Sequence, residues 1–393
     1  MSSSHNHRCR NRRQPRGWRS LVACVQSMSL FDLLARPLLS VLALVMALGL
    51  VGCAPDGPVY ETPNMRIVTD FDEPLCAGNL EDLEGFINGV EQTLGVEMAA
   101  PVDVYLWSRR DRRYLPGCPD DAAGCYHPIT HTIYATSDTV YHELVHATVA
   151  SLGGSREFWV EGIAEAMDPQ LIRFLGTDPG VEVKYHRRDH AFDAAHFTRW
   201  LLDTYGVTLW RQLYASRGSE RDFARIYGMS FSEARDEYLE TSMWIYAKLY
   251  RRALPELPAA EVGWRDEVDF DCSSNDAFGY PESISVLRVL DLEESGYYDI
   301  WTSADGVTLR RRMKNSIGSK EEAEEAGESD VPASTASIPL GMAVLVPGGT
   351  LGVLQLDADE YEVAVVDLDR DLERATVIVV PHLGPLEQVP KEL

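Results

Sequence analysis

Two short segments constrain this chain more than anything else in it. The first is Tyr141-His142-Glu143-Leu144-Val145-His146, and the second, Trp159-Val160-Glu161-Gly162-Ile163-Ala164-Glu165, places Glu161 fifteen residues beyond His146. On an α-helix, positions i and i+4 share a face, so His142 and His146 point the same way. Two imidazoles one turn apart can hold a single Zn²⁺. Glu143 lies between them in sequence, where it reaches water at the metal without ligating. A third ligand must come from elsewhere, leaving a fourth position open. A surface helix with two solvated histidines has the same spacing. The second segment, a carboxylate-bearing helix after the Gly153-Gly154 break, makes the pattern a candidate site.

The pair HELVH and WVEGIAEA resembles the gluzincin metallopeptidases, the thermolysin and aminopeptidase N group. The resemblance implies that His142 and His146 are zinc ligands, that Glu143 is the general base, and that Glu161 is the third ligand. Glu165, one turn later, falls where thermolysin-like enzymes orient a ligand histidine. Aminopeptidase-type spacing lands on Glu165 instead, whereas the EGxA context lands on Glu161; context is preferred, because a loop between helices can shorten without moving either. The motif-bearing part covers about 142–165, and a weaker likeness runs from about 65 to 250.

The group also uses a His or Tyr donor for the oxyanion. Tyr185, His186, His190 and His196 lie where such a residue can come from, and His196, at the start of a helix, is preferred. The resemblance further implies a peptide or protein substrate, and a small sheet whose edge pairs with it. The expected fold class is α+β: a gluzincin-like domain with a small N-terminal sheet, zinc helices and a helical C-terminal part, followed by an all-β, sandwich-like domain. A catalytically inactive peptidase fold, kept for binding or envelope structure, is the alternative.

Residues 1–52 read as a signal peptide: a leader with Arg8, Arg10, Arg12, Arg13, Arg16 and Arg19, then an apolar run from Pro37 to Val51. The run is short for a membrane span. Leu50-Val51-Gly52-Cys53 resembles a bacterial lipobox, which implies lipidation at Cys53, and Ala54 rather than Asp implies outer-membrane sorting. Residues 53–64 are a Pro- and Gly-containing tether. The leader holds seven Arg and one Asp, so the 36 bases and 61 acids of the chain become 29 and 60 beyond it. Such an acidic surface argues against nucleic acid as a partner.

Of the 7 cysteines, Cys76, Cys118, Cys125 and Cys272 remain after the leader and Cys53, and three pairings are possible. The loop Cys-Pro-Asp-Asp-Ala-Ala-Gly-Cys suits a local Cys118–Cys125 bridge, which leaves Cys76 with Cys272. A rival assignment makes Cys118, Cys125, His127 and His131 a structural zinc site, against which the cysteine spacing and an oxidising compartment both count.

The remaining pattern gives strands at 65–70, 102–107 and 130–136. It gives helices at 79–94, from Ser137 or Asp138 to Gly153, and at 156–167, then further helices from 193 to 252, the last opening at the Ser230/Glu233 capping box. The first domain is thus 65–255. Seven short strands separated by turn signals read as a β-sandwich over 262–385, in which openings such as Gly296-Tyr297 resemble pre-peptidase C-terminal domains. An acidic low-complexity loop is expected at 319–335.

Overall fold

The computed structural model describes residues 57–108, 118, 122–168, 172–173, 191–247, 249–280, 283–312 and 343–382. The segments expected to be a signal peptide and an acidic loop, together with Cys53, Tyr185, His186 and His190, lie outside the described residues. Among those described, no helix is long and apolar enough to cross a membrane.

The chain opens with strands β1 (Val59–Glu61) and β2 (Met65–Thr69), helix α1 (Ala77–Leu94) and strand β3 (Val102–Trp107). In β3, Val102, Val104 and Leu106 alternate inward with period two. In α1, Leu83, Phe86, Ile87, Val90 and Leu94 recur at helical spacing, and each is buried. Burying one such side chain contributes about 1.5–3 kcal/mol. Gly95 ends α1 at φ 59°, the left-handed cap that glycine adopts without strain.

Next come β4 (Cys125–His127), β5 (Thr132–Thr136), α2 (Val140–Val149) with a short 3-10 turn, and α3 (Glu157–Met167). The five strands form one sheet in the order β1-β2-β3-β5-β4. The inner three are parallel, and the outer two pair antiparallel. The strand preceding the metal helix, β5, is therefore not an edge. The three-residue β4 covers it and forms the edge itself.

Helices α4 (Ala191–Tyr205), α5 (Val207–Ala215), α6 (Glu220–Tyr227) and α7 (Phe231–Thr241) follow. The capping box expected at Ser230 is present, with its side chain accepting from the Glu233 N–H. The helix expected to run to 252 stops at Thr241. Ser242 is extended at ψ 148°, and the chain continues as a strap. Within it β7 (Ile245–Tyr246) pairs with β6 (Ile172–Arg173), and the Ala247 carbonyl accepts from Arg199.

The C-terminal half comprises β8 (Trp264–Asp269), β9 (Ala277–Tyr280), β10 (Ser283–Asp291), β11 (Gly296–Thr302), β12 (Gly306–Arg312), β13 (Ala343–Pro347), β14 (Gly352–Leu356), β15 (Glu360–Asp367) and β16 (Arg374–Pro381). Two antiparallel sheets, β13-β12-β15-β10-β9 and β14-β11-β16-β8, share one core of Val286, Ile300, Val307, Val363, Val377 and their neighbours. The expected seven strands are all there. β8 and β9 are additions: β8 reads Trp-Arg-Asp-Glu-Val-Asp, too charged to signal a strand, yet it is the edge of its sheet, where water covers its outer face.

The two halves have separate cores and a small, close junction. Cys76 at the start of α1 is bonded to Cys272, and Cys118 to Cys125, so the metal-site assignment for the latter pair falls. Asn79 accepts from the Gly279 N–H at 2.8 Å. A Cβ on Gly78 would stand 2.5 Å from the Ala277 carbonyl, so only glycine lets α1 reach β9.

Candidate metal centre

α2 is buried on nearly all sides, by Val140, Leu144, Val145, Ala147 and Val149 among others. His142 and His146 lie one turn apart on it, with their Nε2 atoms 3.0 Å from each other. From α3, Glu161 brings its carboxylate to 3.3 Å from His142 Nε2 and 3.8 Å from His146 Nε2. Donors roughly 2.0–2.1 Å from a tetrahedral ion are roughly 3.3–3.4 Å apart. The three side chains are the one group of His, Cys, Asp and Glu among the described residues whose donor atoms converge within 4.8 Å, as a metal requires. Glu165 takes the outer nitrogen of His142, Nδ1, at 3.2 Å, which fixes the ring and leaves Nε2 as the inward donor. His146 Nδ1 is buried with no hydrogen-bond partner among the described residues.

The charges around the rings reinforce this arrangement. Burial disfavours a proton on His142, but Glu161 and Glu165 outweigh it and push the imidazolium up to about 10. The site is thus built to hold positive charge. His146 is pushed the other way, to about 4, by burial and then by the neighbouring His142. Without an ion, the proton therefore rests on His142 and His146 is neutral at pH 7.

Glu143 is only 6 % exposed. Burial lifts its carboxyl to about 7, against the pull of His142 and of a hydrogen bond from the Tyr126 backbone. The contact with β4 is close. A Cβ on Gly124 would lie 2.8 Å from Glu143 Oε1 and 2.9 Å from Thr139 Oγ1, so the strand reaches the carboxylate only because residue 124 has no side chain. Thr139 fastens the same loop by donating to the Ala123 carbonyl at 3.1 Å.

The orientation of α3 rests on Trp159. Its Nε1 donates to the Gly218 carbonyl at 2.9 Å, and its ring stacks on Phe223. Gly218, at φ 63°, has space for no other residue: a Cβ would come within 2.2 Å of the indole. Gly162 answers a similar demand: it faces α4, where a Cβ would meet Thr198 Oγ1 at 2.6 Å.

The triad and Glu143 open onto a cleft of about 820 Å³, bounded by Gly124, Cys125 and Tyr126 of the edge strand on one side and by Tyr214 on another. His196 is not among its lining residues. It is fully buried in α4, with Nδ1 2.9 Å from the Tyr238 hydroxyl and its ring against Tyr246. Burial lowers it to about 4. The expected oxyanion donor is thus a core histidine. Tyr214 on α5 does line the cleft, and burial together with the Glu161 charge keeps its phenol protonated far above the ordinary range. Its sequence setting, Trp210-Arg211-Gln212-Leu213-Tyr214, reads as core packing and carries no local signal.

The fold and the centre define an α+β protein in which two histidines and one glutamate converge closely enough to hold a metal ion. No family model and no curated protein sequence matches the chain. Among solved structures, it is similar at 12% identity to the Fe(II) form of HppE, covering 56% of this chain and 98% of that one, with a TM-score of 0.13. The hydroxypropylphosphonic acid epoxidase from S. wedmorenis gives 12% identity over 58% and 98%, also at 0.13. Similarity at that TM-score bears on neither fold nor chemistry.

Proposed function

We propose that the chain is a gluzincin-type zinc peptidase of the bacterial cell envelope, tethered through Cys53 and acting on peptide or protein substrates. The observation that carries this is the convergence of His142, His146 and Glu161 with a buried, unligated Glu143 beside them. The same donor set suits non-haem Fe(II). Glu143 tips the reading towards hydrolysis, because a buried carboxyl that lines the cleft beside the donor set without belonging to it is placed to shuttle protons.

His142, His146 and Glu161 would hold the ion. A bound Zn²⁺ supplies Lewis acidity and makes water ionise near neutral pH. Glu143, at about 7, takes a proton from water at its carboxylate and later returns it to the departing amine. Tyr214 presents a protonated hydroxyl towards the developing oxyanion. The outer edge of β4 lines the cleft, where an extended peptide can add as a further strand.

The test is metal analysis of the purified chain combined with a peptide-library digest by wild type and Glu143→Gln. The expected result is one zinc per chain in both, with cleavage reduced on the order of 10²–10⁴-fold in the variant. Undiminished cleavage by the variant rejects the mechanism. Metal-free wild type without cleavage supports the binding alternative.

A further inference from the structure

A buried charge outside the cleft joins the metal helix to the sandwich. Asp82 on α1 has only 1 % of its side chain exposed. A carboxylate so placed must be paired, and its partners come from two separate segments. Tyr141 on α2, the residue before His142, donates its hydroxyl to Oδ2. Tyr250 and Arg252, from the strap between the two halves, donate to Oδ1 at 3.0 Å and to Oδ2 respectively.

The strap is seated on both sides. Gly85 and Gly89, one turn apart on α1, form a bare groove for Tyr250, and a Cβ at either would come within 2.9 Å of that ring or its hydroxyl. Phe86 meets Tyr141 and Tyr250 edge-on, at 5.1 and 5.4 Å. On the sandwich side, the Arg252 guanidinium lies 4.2 Å above the Phe278 ring. Its carbonyl accepts from Arg312 at 2.8 Å, and Arg312 is itself paired to Glu360 at 3.0 Å.

We infer that Asp82 is a positioning residue for the metal centre, through which the sandwich fixes the rotation of α2: Phe278 holds Arg252, Arg252 and Tyr250 hold Asp82, and Asp82 holds Tyr141 and hence the direction of His142. The inference rests on reading His142, His146 and Glu161 as a metal site. Apolar packing sets the depth of α2, but a greasy face tolerates a small roll; a hydrogen bond one residue from a ligand does not. The sandwich, with no group in the cleft, thereby takes part in the geometry of the ion.

The experiment measures Zn²⁺ affinity by chelator competition and the visible absorption of the Co²⁺-loaded chain, together with the thermal midpoint. The variants are Tyr141→Phe, Asp82→Asn, Phe278→Leu and the double Tyr141→Phe/Phe278→Leu. Asp299→Asn, on β11 and paired with His382 just beyond β16, is the control. Tyr141→Phe is expected to weaken Zn²⁺ about 10-fold, the lower end for removal of a ligand-orienting contact, and to alter the Co²⁺ bands.

Phe278→Leu moves both readouts in the same direction by a smaller factor. The double variant is no worse than Tyr141→Phe alone, because the two act in one chain of contacts. Asp299→Asn changes neither readout. Unaltered affinity and spectra in Tyr141→Phe and Asp82→Asn, with only the midpoint lowered, overturn the inference and leave a structural clamp. Additive losses in the double variant overturn the part assigned to the sandwich. Wild type that holds neither metal removes the metal reading and this one together, whereas wild type that holds metal beside unchanged variants removes this one alone. Should Asp82→Asn fail to fold, Arg252→Lys is measured in its place against the same expectation of loosened Zn²⁺.

Discussion

The two halves of the molecule treat buried polar groups in opposite ways. In the sandwich, charges removed from water are matched at once. Arg288 bridges Asp266 and Asp276, Arg311 bridges Asp357 and Asp359, and Asp367 accepts two backbone N–H groups. Its core is mostly aliphatic, rich in valine and leucine, with Phe270, Tyr298 and Tyr361 among them. The helical half buries Trp159, Trp200, Trp210, Phe197 and Phe223, and among them it keeps groups far from their ordinary ionisation: Glu143 raised, His146 and His196 lowered. A β-sheet core filled by branched aliphatics has little use for such groups. Glu143 and His146 lie together at the cleft, the kind of place where shifted ionisation accompanies function, whereas His196 is set apart in the core.

The largest effect that tests this division concerns the bond between the halves. Cys76 and Cys272 are 196 residues apart, so replacing both by serine should cost about 5 kcal/mol in the chain-entropy picture, against about 2–3 kcal/mol for the short Cys118–Cys125 loop. Denaturant unfolding measures both. Equal losses would mean that the halves constrain one another without the bridge.

The next effect separates the halves by pH. His196 is at about 4 in the folded chain and near 6.5 when unfolded. Above pH 6.5 it is neutral in both states and its contribution is complete. As pH falls from 6.5 to about 4, the unfolded chain binds a proton that the folded one refuses, so stability declines, by about 3 kcal/mol from this residue. Unfolding followed between pH 7 and 4 should show a shallower slope in His196→Gln. An unchanged slope rules out a neutral core histidine.

A smaller loss is expected from Gly162→Ala, about 1–3 kcal/mol, because the added methyl must push α3 away from Thr198 and Ala194. Metal affinity should fall with it, since α3 carries Glu161. At the bottom of the scale, Arg374→Ala breaks an exposed pair with Asp269 on the sandwich surface and should leave the thermal midpoint unmoved.

Legibility in the sequence followed the range of the interactions. The two histidines and Glu143 were readable because helix geometry alone fixes them, and the Glu161 context placed a carboxylate one element later. The sandwich strands announced themselves through alternation and glycine turns. Four features depended on distant partners and could not be read. Strand β4 is only Cys125-Tyr126-His127, defined by its pairing with β5. The stop at Thr241 interrupts a sequence that could have stayed helical, and the strap beyond it is held by Arg199 and Asp82. His196 has the residue type and position of a catalytic donor, yet Tyr238 and Tyr246 enclose it. Tyr214 reaches the cleft through the packing of α5 and not through any motif.

The indole of Trp159 sits like a key in a slot cut to its outline by Gly218 and Phe223. With that key in place the coil bearing Glu161 cannot roll outward to suit an ion of larger radius. Under the proposed reading, discrimination among cations would come from stiffness: Ca²⁺, which asks for six to eight oxygens at 2.3–2.6 Å, would meet two nitrogens and a carboxylate that cannot retreat, while a small four-coordinate ion would meet neither obstacle.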